Sequence, residues 1–397
     1  MNETTNDGSS RIDYGIILTL MLLALIGLMS LYVAINHDSS AGSPLRAIII
    51  QALWYLIGGI AIIIIMQFDA EQLWKIAPYV YGAGILLLIA VLFLYSRPYE
   101  AKTGAKSWFA LGSLTFQPSE VMKPAFILML AKVVNQHNSR YNTHTVKLDF
   151  MLIGKMLLVL LPVAVLLKLQ NDFGTMLVFF AIFGGVLLVS GISWKILVPV
   201  ISAVTVVGAT AITFVRTDWG RAALAKVGFH TYQFARIDSW LNPSQNTTDQ
   251  GYQLWQSMKA IGSGQLTGKG FNHANVYVPV RESDMIFSVI GENFGFIGGC
   301  LLVLLYFLLI YQMIRVIVDT KNEFYAYIST GVIMMILFHV FENIGMCIGL
   351  LPLTGIPLPF ISQGGSALLG NMIGIGLIMS MRYHYKSYMF STDESFK

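Results

Sequence analysis

The segment Arg281-Glu-Ser-Asp-Met-Ile-Phe-Ser-Val-Ile-Gly-Glu-Asn293 marks the point where the longest polar stretch of the chain meets a long apolar one. The apolar residues that follow predict a membrane helix beginning here. We expect Ser283 or Asp284 to be its N-cap, because short polar side chains are preferred there and the exposed N–H groups favour an anion. Asp284 is then an ionised carboxylate at a membrane face. The alternative is that Asp284 serves only as a helix cap.

The composition of the 397-residue chain is that of a membrane protein. Hydrophobic residues make up 55% of it and charged residues 12%, whereas soluble domains carry about 25% charged residues. The net charge of +4 is scattered along the chain, so no basic stripe indicates a nucleic-acid partner. Cys300 and Cys347 lie in apolar runs without metal-ligand or redox spacing, so we interpret them as packing residues.

Ten apolar runs are long enough to span a bilayer as helices, which takes about 20 residues. The first run, residues 14–35, is longer than the apolar core of a secretory signal, so we expect it to be retained. The others lie at about 48–66, 76–94, 118–134, 151–167, 173–190, 192–215, 284–314, 324–351 and 366–381. We therefore predict an all-α polytopic membrane protein in which residues 1–397 form a single domain. It has about ten transmembrane helices and a large loop, residues 216–283, between the seventh and eighth.

The basic residues predict which ends of the helices face the cytoplasm. If residues 1–13 are inside, the inner loops contain twelve Lys or Arg residues and the short outer loops contain five. The large loop is left out of this comparison, since loops longer than about 60 residues escape the positive-inside rule. We therefore predict a plasma-membrane protein whose tails, 1–13 and 382–397, are both cytoplasmic. Asp284 and the large loop are predicted to be extracellular.

The large loop is rich in aromatic residues, which indicates a segment that packs against the protein or lies on the membrane. Leu254 and Met258 are one turn apart and predict a short interfacial helix around residues 256–261. The glycine-rich run at 262–270 should end that helix. We do not interpret this run as a phosphate-binding loop, because no strand precedes it and the GKS/T ending is missing.

Glu120 and Lys123 lie in the fourth apolar run, where one charge costs roughly 2.5 to 3.5 kcal/mol near the bilayer centre. Because they are three residues apart, they share a helix face and can neutralise each other. Pro124 favours an open backbone and a water-accessible site. The pair therefore either stabilises the helix start or belongs to a polar cavity.

Two further clusters fall at the predicted outer face. Asp172, within Gln170-Asn-Asp-Phe-Gly-Thr175, lies at the turn between the fifth and sixth spans and could simply cap the sixth helix. Residues 349–366, here called the Pro/Gly loop, contain three prolines and four glycines, so they cannot form a continuous helix. At membrane depth such backbone persists only if it is buried in protein or lines a polar cavity. We predict a re-entrant or entry loop here.

Taken together, the chain resembles the SEDS family (RodA, FtsW and SpoVE type), membrane glycosyltransferases that polymerise lipid II into peptidoglycan glycan strands. The most specific motif is Asn343-x5-Gly349-x2-Pro352-x2-Gly355-x-Pro357-x-Pro359-Phe360-x-Ser362-x-Gly364-Gly365-Ser366. Supporting motifs are Gln117-Pro-Ser-Glu120-x-x-Lys123, Gln170 to Thr175, Arg236-Ile-Asp-Ser-Trp240-Leu-Asn-Pro243 and Ser283-Asp-x-Ile-Phe287. Asn171, Asn293 and Gln363 depart from the family pattern. The approach to Asp284 and the short C-terminal tail are more similar to RodA, the elongation member, than to FtsW, the division member.

The resemblance implies that Asp284 is the catalytic residue. As a general base it would take the proton from a sugar 4-hydroxyl that attacks the anomeric carbon of another lipid II, an inverting transfer. The candidate substrate-binding residues are Trp108, Glu120, Lys123, Asp172, Arg216, Arg236, Ser362, Gly364 and Gly365. The resemblance also implies a divalent cation, Mg²⁺ or Mn²⁺, no organic cofactor, and a class B penicillin-binding protein as partner in cell elongation and shape control.

A flippase or transporter of a lipid-linked cell-wall precursor is the alternative function, because broken helices and intramembrane charges suit it equally well. The expected gathering of Asp284, Asp172 and the aromatic loop on one face argues against it, as does the lack of a clear internal repeat. A third possibility, an inert scaffold for wall-building enzymes, predicts that Asp284 tolerates substitution.

Overall fold

The computed structural model describes residues 12–38, 42–111, 114–141, 145–215, 217–226, 231–244 and 250–388. Over these ranges the chain is almost entirely α-helical. Ten long helices are α1 (Tyr14–Asn36), α2 (Pro44–Ile65), α3 (Ala70–Leu94), α5 (Pro118–Arg140), α6 (Val146–Leu169), α7 (Phe173–Val189), α8 (Trp194–Val215), α12 (Ile286–Thr320), α13 (Glu323–Cys347) and α14 (Gly365–Tyr388). The shorter helices are α4 (Arg97–Thr103), α9 (Asp218–Lys226), α10 (Thr231–Leu241) and α11 (Gln250–Ser263). An antiparallel hairpin pairs β1 (Phe109–Leu111) with β2 (Leu114–Phe116).

The ten long helices correspond to the ten predicted spans, which confirms the predicted all-α polytopic architecture. Among the described residues, α1, α2, α3, α6, α8, α12 and α13 are long and apolar enough to cross a membrane. Helix α5 is more polar and lies inside the bundle, packed against α3, α6, α7, α13 and α14. The polar side chains near its start, Ser119, Glu120 and Lys123, are therefore buried by the surrounding helices.

One end of the bundle, here called the loop face, gathers the segments between α3 and α5, between α6 and α7, between α8 and α12, and between α13 and α14. Hydrogen bonds join these segments to one another. Lys106 N donates to Gln170 O at 2.8 Å, and Trp240 Nε1 donates to Gly349 O at 3.0 Å. The loops thus form one packed layer rather than separate connections between helices. Within this layer, α4, the hairpin, α9 and α10 were not predicted from the sequence.

Helix α11 shows that this part of the large loop packs against the protein. The predicted helix at 256–261 is longer, Gln250–Ser263, and it packs along α12. Leu254 is buried against neighbouring helices, and Ser257 Oγ donates to Cys347 O at 3.0 Å. The helix ends at the glycine run, as predicted, and that run continues across the surface of α12.

The glycine run is explained by how closely the two backbones approach. A Cβ added to Gly264 would lie 1.9 Å from Gly291 O, and one added to Gly268 would lie 2.1 Å from Asn293 O. No larger residue fits these positions without moving the backbone. Opposite the run, Gly295 adopts φ +63° and breaks the helical geometry of α12. The glycines therefore serve close packing of a loop on a kinked helix.

Candidate functional site

Asp284 lies in the turn that precedes α12, and its role as a helix cap is not borne out. The N-cap of α12 is Met285, which makes no side-chain cap hydrogen bond, so the predicted cap at Ser283 or Asp284 is wrong. The main-chain carbonyls of this turn are held from outside the helix. Asn343 Nδ2 donates to Asp284 O at 2.8 Å, and Ser362 Oγ donates to Ser283 O at 2.6 Å.

The carboxyl group of Asp284 lies under the Pro/Gly loop. Its Oδ1 accepts a hydrogen bond from Ser283 Oγ at 3.2 Å. A Cβ added to Gly355, which adopts φ +78°, would lie 3.3 Å from Asp284 Oδ2. The loop also rests on the start of α7, since a Cβ added to Gly174 would lie 3.0 Å from Thr354 O. The loop is irregular and packed against protein, in agreement with the non-helical segment predicted from its prolines and glycines.

The environment of Asp284 changes its acidity. Burial raises the pKa of this carboxyl to about 7, the Ser283 hydrogen bond opposes the rise, and the charge of Glu282 adds to it. Burial likewise raises the pKa of Glu282. Asp284 retains some exposed surface, so its position under the Pro/Gly loop, here called the recess, is not completely enclosed by protein. A carboxyl that titrates near neutral pH in such a recess can exchange protons with a ligand.

Glu120 and Lys123 form a buried ion pair in which His339 takes part. Lys123 Nζ lies 2.8 Å from each carboxylate oxygen of Glu120 and 2.9 Å from His339 Nε2. The exposed fractions of Glu120 and Lys123 are 3% and 1%. His339 Nδ1 lies 2.6 Å from Met335 O. Since that carbonyl can only accept, Nδ1 carries the proton and Nε2 accepts from Lys123.

This ion pair lies one helical turn from the Asp284 region. His339 and Asn343 are four residues apart on α13, so they share a face about 6 Å apart along the helix axis. Asn343 in turn holds Asp284. The structure therefore places the Glu120–Lys123 pair close beneath the candidate site. The two opposite charges neutralise each other there. The sequence analysis missed His339, although its spacing from Asn343 was a usable signal.

The backbone near this pair differs from expectation. Helix α5 remains continuous through Pro124, so the predicted opening of the backbone is wrong. Proline cannot donate to Glu120 O, and this carbonyl is instead covered by α14. A Cβ added to Gly370 would lie 2.5 Å from Glu120 O. Close packing by a glycine thus replaces the water access that was expected there.

A second buried carboxylate, Glu292, fixes the glycine run beside the site. Its oxygens accept hydrogen bonds from Lys269 Nζ at 3.0 Å, from Asn275 N at 2.9 Å and from Arg281 Nη2. Glu292 is fully buried and Arg281 is 5% exposed. Arg281 is only three residues before Asp284, so this cluster ties the large loop to the turn that carries the candidate base. The sequence analysis assigned no role to Glu292.

Asp172 and Trp108 also lie on the loop face. Asp172 caps α7 by accepting from Thr175 N at 3.2 Å, which agrees with the structural alternative considered for it. It also accepts from Gln117 Nε2 at 2.8 Å. Trp108 stacks on Tyr99 with ring centroids 6.0 Å apart, beside the hairpin. Substrate contacts by Asp172 and Trp108 stay predictions.

The remaining candidate residues shape the Pro/Gly loop or lie outside the described residues. Ser362 Oγ accepts from Leu358 N at 2.8 Å and donates to Ser283 O, so its hydroxyl is engaged within the protein. Gly364 N donates to Gln51 Oε1 at 3.4 Å, and Gly365 packs tightly against Trp54. Arg216 lies outside the described residues. Arg236 lies on α10, and its side chain is likewise outside the described part of the structure.

The described residues do not form a metal site by themselves. Within these ranges no three His, Cys, Asp or Glu side chains come together in a way that could hold an ion. The acidic residues found near Asp284 are therefore too few for a resident metal centre with protein ligands alone.

The comparisons with known proteins agree with this architecture. The sequence profile of the FtsW/RodA/SpoVE family, described as cell cycle protein, matches residues 13–387. "Peptidoglycan glycosyltransferase MrdB" of Escherichia coli (strain K12) is 33% identical over 374 residues, 92% of this chain and 93% of the relative. "Peptidoglycan glycosyltransferase RodA" of Treponema pallidum (strain Nichols) is 29% identical, covering 94% and 98%.

A solved structure extends the similarity to three dimensions. One chain of "Structural coordination of polymerization and crosslinking by a peptidoglycan synthase complex" is 25% identical, with a TM-score of 0.75, and the match covers 96% of this chain and 99% of that one. The family match spans nearly all ten long helices and the loop face between them. The chain belongs to the FtsW/RodA/SpoVE family of multi-pass membrane proteins.

Proposed function

We propose that this protein is a peptidoglycan glycosyltransferase that polymerises lipid II into glycan strands during cell elongation and shape control. Its relatives in E. coli and T. pallidum carry the name peptidoglycan glycosyltransferase. The observation that carries the proposal is the Asp284 carboxyl, which occupies a recess under the Pro/Gly loop and has a pKa raised to about 7. A carboxyl that titrates near neutral pH in a partly enclosed position is the arrangement expected of a general base.

In the proposed reaction Asp284 accepts the proton of the 4-hydroxyl of one sugar. As this oxygen forms a bond to the anomeric carbon of a second lipid II, the bond from that carbon to the pyrophosphate oxygen breaks. The bonding electrons leave with the pyrophosphate, and inversion at the anomeric carbon follows from attack opposite the leaving group. An unshifted aspartate would be a weak base at neutral pH, whereas a carboxyl with a pKa near 7 suits the task.

The leaving pyrophosphate needs positive charge nearby. Lys123 is 1% exposed and already paired with Glu120, so we assign this role to basic residues of the large loop, Arg216 and Arg236. We propose that Glu120 and Lys123 hold α5 and α13 together beneath the site. Substrate contacts by Trp108, Asp172, Ser362, Gly364 and Gly365 remain part of the proposal.

We propose that a divalent cation, Mg²⁺ or Mn²⁺, binds only together with the substrate. Mg²⁺ is commonly held by one or two carboxylates and by substrate phosphates rather than by an all-protein cage. When bound, it would neutralise charge on the pyrophosphate. We expect no organic cofactor.

We infer that the loop face is extracellular and that residues 1–13 and 382–397 are cytoplasmic, with residues 1–397 acting as one membrane domain. The distribution of Lys and Arg among the short loops supports this orientation. We also infer a class B penicillin-binding protein as partner. This inference is supported by a similar solved chain, which belongs to a peptidoglycan synthase complex in which polymerization and crosslinking are coordinated.

The test is polymer formation from purified labelled lipid II by the full chain with its class B partner. Asp284→Asn should insert into membranes normally and form no polymer. The matched control is Asp319→Asn, which changes a 41% exposed carboxylate near the other end of α12 and should polymerise at the wild-type rate. Polymerisation by Asp284→Asn at the control rate would refute the assignment.

The same proteins separate the proposed function from the flippase alternative. In sealed vesicles containing labelled lipid II, a flippase moves the lipid between leaflets without forming polymer. We expect the wild-type protein to form polymer from lipid supplied on the side of the loop face. Translocation without polymer would favour the flippase instead.

A further inference from the structure

Asn343 joins the two segments that form the candidate site. It lies on α13 and is fully buried. One Nδ2 hydrogen is donated to Asp284 O and the other to Ile356 O, both at 2.8 Å. Both donors of a single amide are thus used to bridge the turn before α12 and the Pro/Gly loop.

The distance between these two segments determines the shape of the recess. Ile356 follows Gly355, whose backbone lies directly against Asp284 Oδ2. If the bridge were lost, two buried carbonyl oxygens would be left without these donors, and they would gain hydrogen bonds only by moving apart or by admitting water. Either response would open the recess around the carboxyl group.

We propose that Asn343 is a positioning residue that sets the separation between Asp284 and the Pro/Gly loop and so keeps the general base in its poorly solvated recess. This inference rests on the proposed function. Asn343 does not need to touch the substrate, because it acts through the main chain of Asp284 and through the loop that covers it.

The ionisable groups around Asp284 lie on its own turn and on the neighbouring α13. Glu282 lies on the same turn, Cys347 on α13 faces the Asp284 carbonyl, and Glu342 on α13 is hydrogen-bonded to Thr354 of the Pro/Gly loop. One helical turn farther along α13, His339 contacts the paired Lys123 and Glu120. The Pro/Gly loop contains no ionisable side chain. A neutral substitution at Asn343 therefore leaves the charges in place and changes mainly the solvation of Asp284.

The test compares Asn343→Leu with Asn138→Leu in the full chain with its class B partner. Asn138 is a matched control, because its Nδ2 also donates twice, to Ser190 O at 3.0 Å and Tyr327 Oη at 2.9 Å. Its Oδ1, like that of Asn343, has no partner among the described residues. It lies near the C-terminal end of α5, at the end of the bundle opposite the loop face.

We expect Asn343→Leu to polymerise lipid II with a kcat about 10 to 100 times lower, as a small misplacement of a catalytic group can cause. The acid limb of its pH profile should move by about half a unit or more toward lower pH, because a better solvated carboxyl has a lower pKa. Asn138→Leu should leave both quantities near the wild-type values. If Asn343→Leu is not recovered folded, Asn343→Gln, which keeps the amide on a longer side chain, should show the same shift in smaller measure.

An Asn343→Leu protein whose activity falls only in proportion to its folded fraction, with the acid limb unmoved, would overturn the inference. An unchanged kcat would do the same. Asp284→Asn in the same assay distinguishes the two levels of the argument. If Asp284→Asn is inactive while Asn343→Leu polymerises at the wild-type rate, the positioning role of Asn343 is wrong and the proposed function stands. If Asp284→Asn is active, the proposed function itself is wrong, and the positioning role falls with it.

Discussion

Replacing Asp284 by asparagine should stabilise the folded protein at the same time as it removes the proposed base. Burial raises the pKa of Asp284 from 3.8 to about 7. At pH values below the unfolded pKa this carboxyl is protonated in both the folded and the unfolded state, so its burial costs no electrostatic free energy. The cost to stability grows as the pH rises from the unfolded pKa of 3.8 to the folded pKa of about 7, and it is fully present above pH 7. Above pH 7 the native protein therefore keeps an ionised carboxyl in a place that disfavours its charge.

The magnitude follows from the size of the shift. One pKa unit corresponds to about 1.4 kcal/mol, so the full cost of the ionised group is about 4 kcal/mol at pH 8 and about 2 kcal/mol at pH 5. Because the recess is not completely enclosed, solvent reduces both values, and we expect a gain of about 2 to 4 kcal/mol for Asp284→Asn at pH 8. Asparagine retains Oδ1, so it can still accept the hydrogen bond from Ser283.

The assay is unfolding in a fixed detergent, followed by tryptophan fluorescence, for the wild type, Asp284→Asn and Asp319→Asn at pH 5 and pH 8. Asp284→Asn should be the most stable of the three at pH 8, and its advantage over the wild type should shrink at pH 5. Asp319 is exposed, so Asp319→Asn should show no such pH-dependent gain. The reasoning is refuted if Asp284→Asn is no more stable than the wild type at pH 8, or if its advantage is the same at both pH values.

Three other outcomes follow from the same contacts. Polymerisation by the wild-type protein should rise with pH to a plateau, with half of the maximal rate near pH 7, because Asp284 acts as a base when ionised; a rate that stays flat from pH 5 to 8 contradicts this. Lys123→Met should destabilise the protein by about 3 to 5 kcal/mol, since it leaves the Glu120 charge buried and unpaired, and the double variant Glu120→Leu/Lys123→Met should recover much of that loss in thermal unfolding. Glu292→Gln should leave the positive charges at Lys269 and Arg281 without their counter-charge, so limited proteolysis should cut the glycine run faster than in the wild type; equal cleavage rates would count against this role.

The sequence by itself determined the class of protein, the positions of the ten long helices and the irregular Pro/Gly loop. Each of these depends on local properties, namely the length of apolar runs and the inability of proline and glycine to continue a helix. The same local reasoning placed Asp284 at the start of a membrane helix. It also anticipated that Asp172 could cap α7, since capping is decided within one turn.

Only the tertiary structure decided what surrounds Asp284. The cap prediction was wrong, and the turn is instead held through its carbonyl groups by Asn343 and Ser362, which are 59 and 79 residues away along the chain. Likewise, His339 reaches Lys123 across 216 residues. Burial, and with it the raised pKa of Asp284, is a property of packed neighbours rather than of local sequence, because it depends on which distant segments exclude water from the carboxyl group.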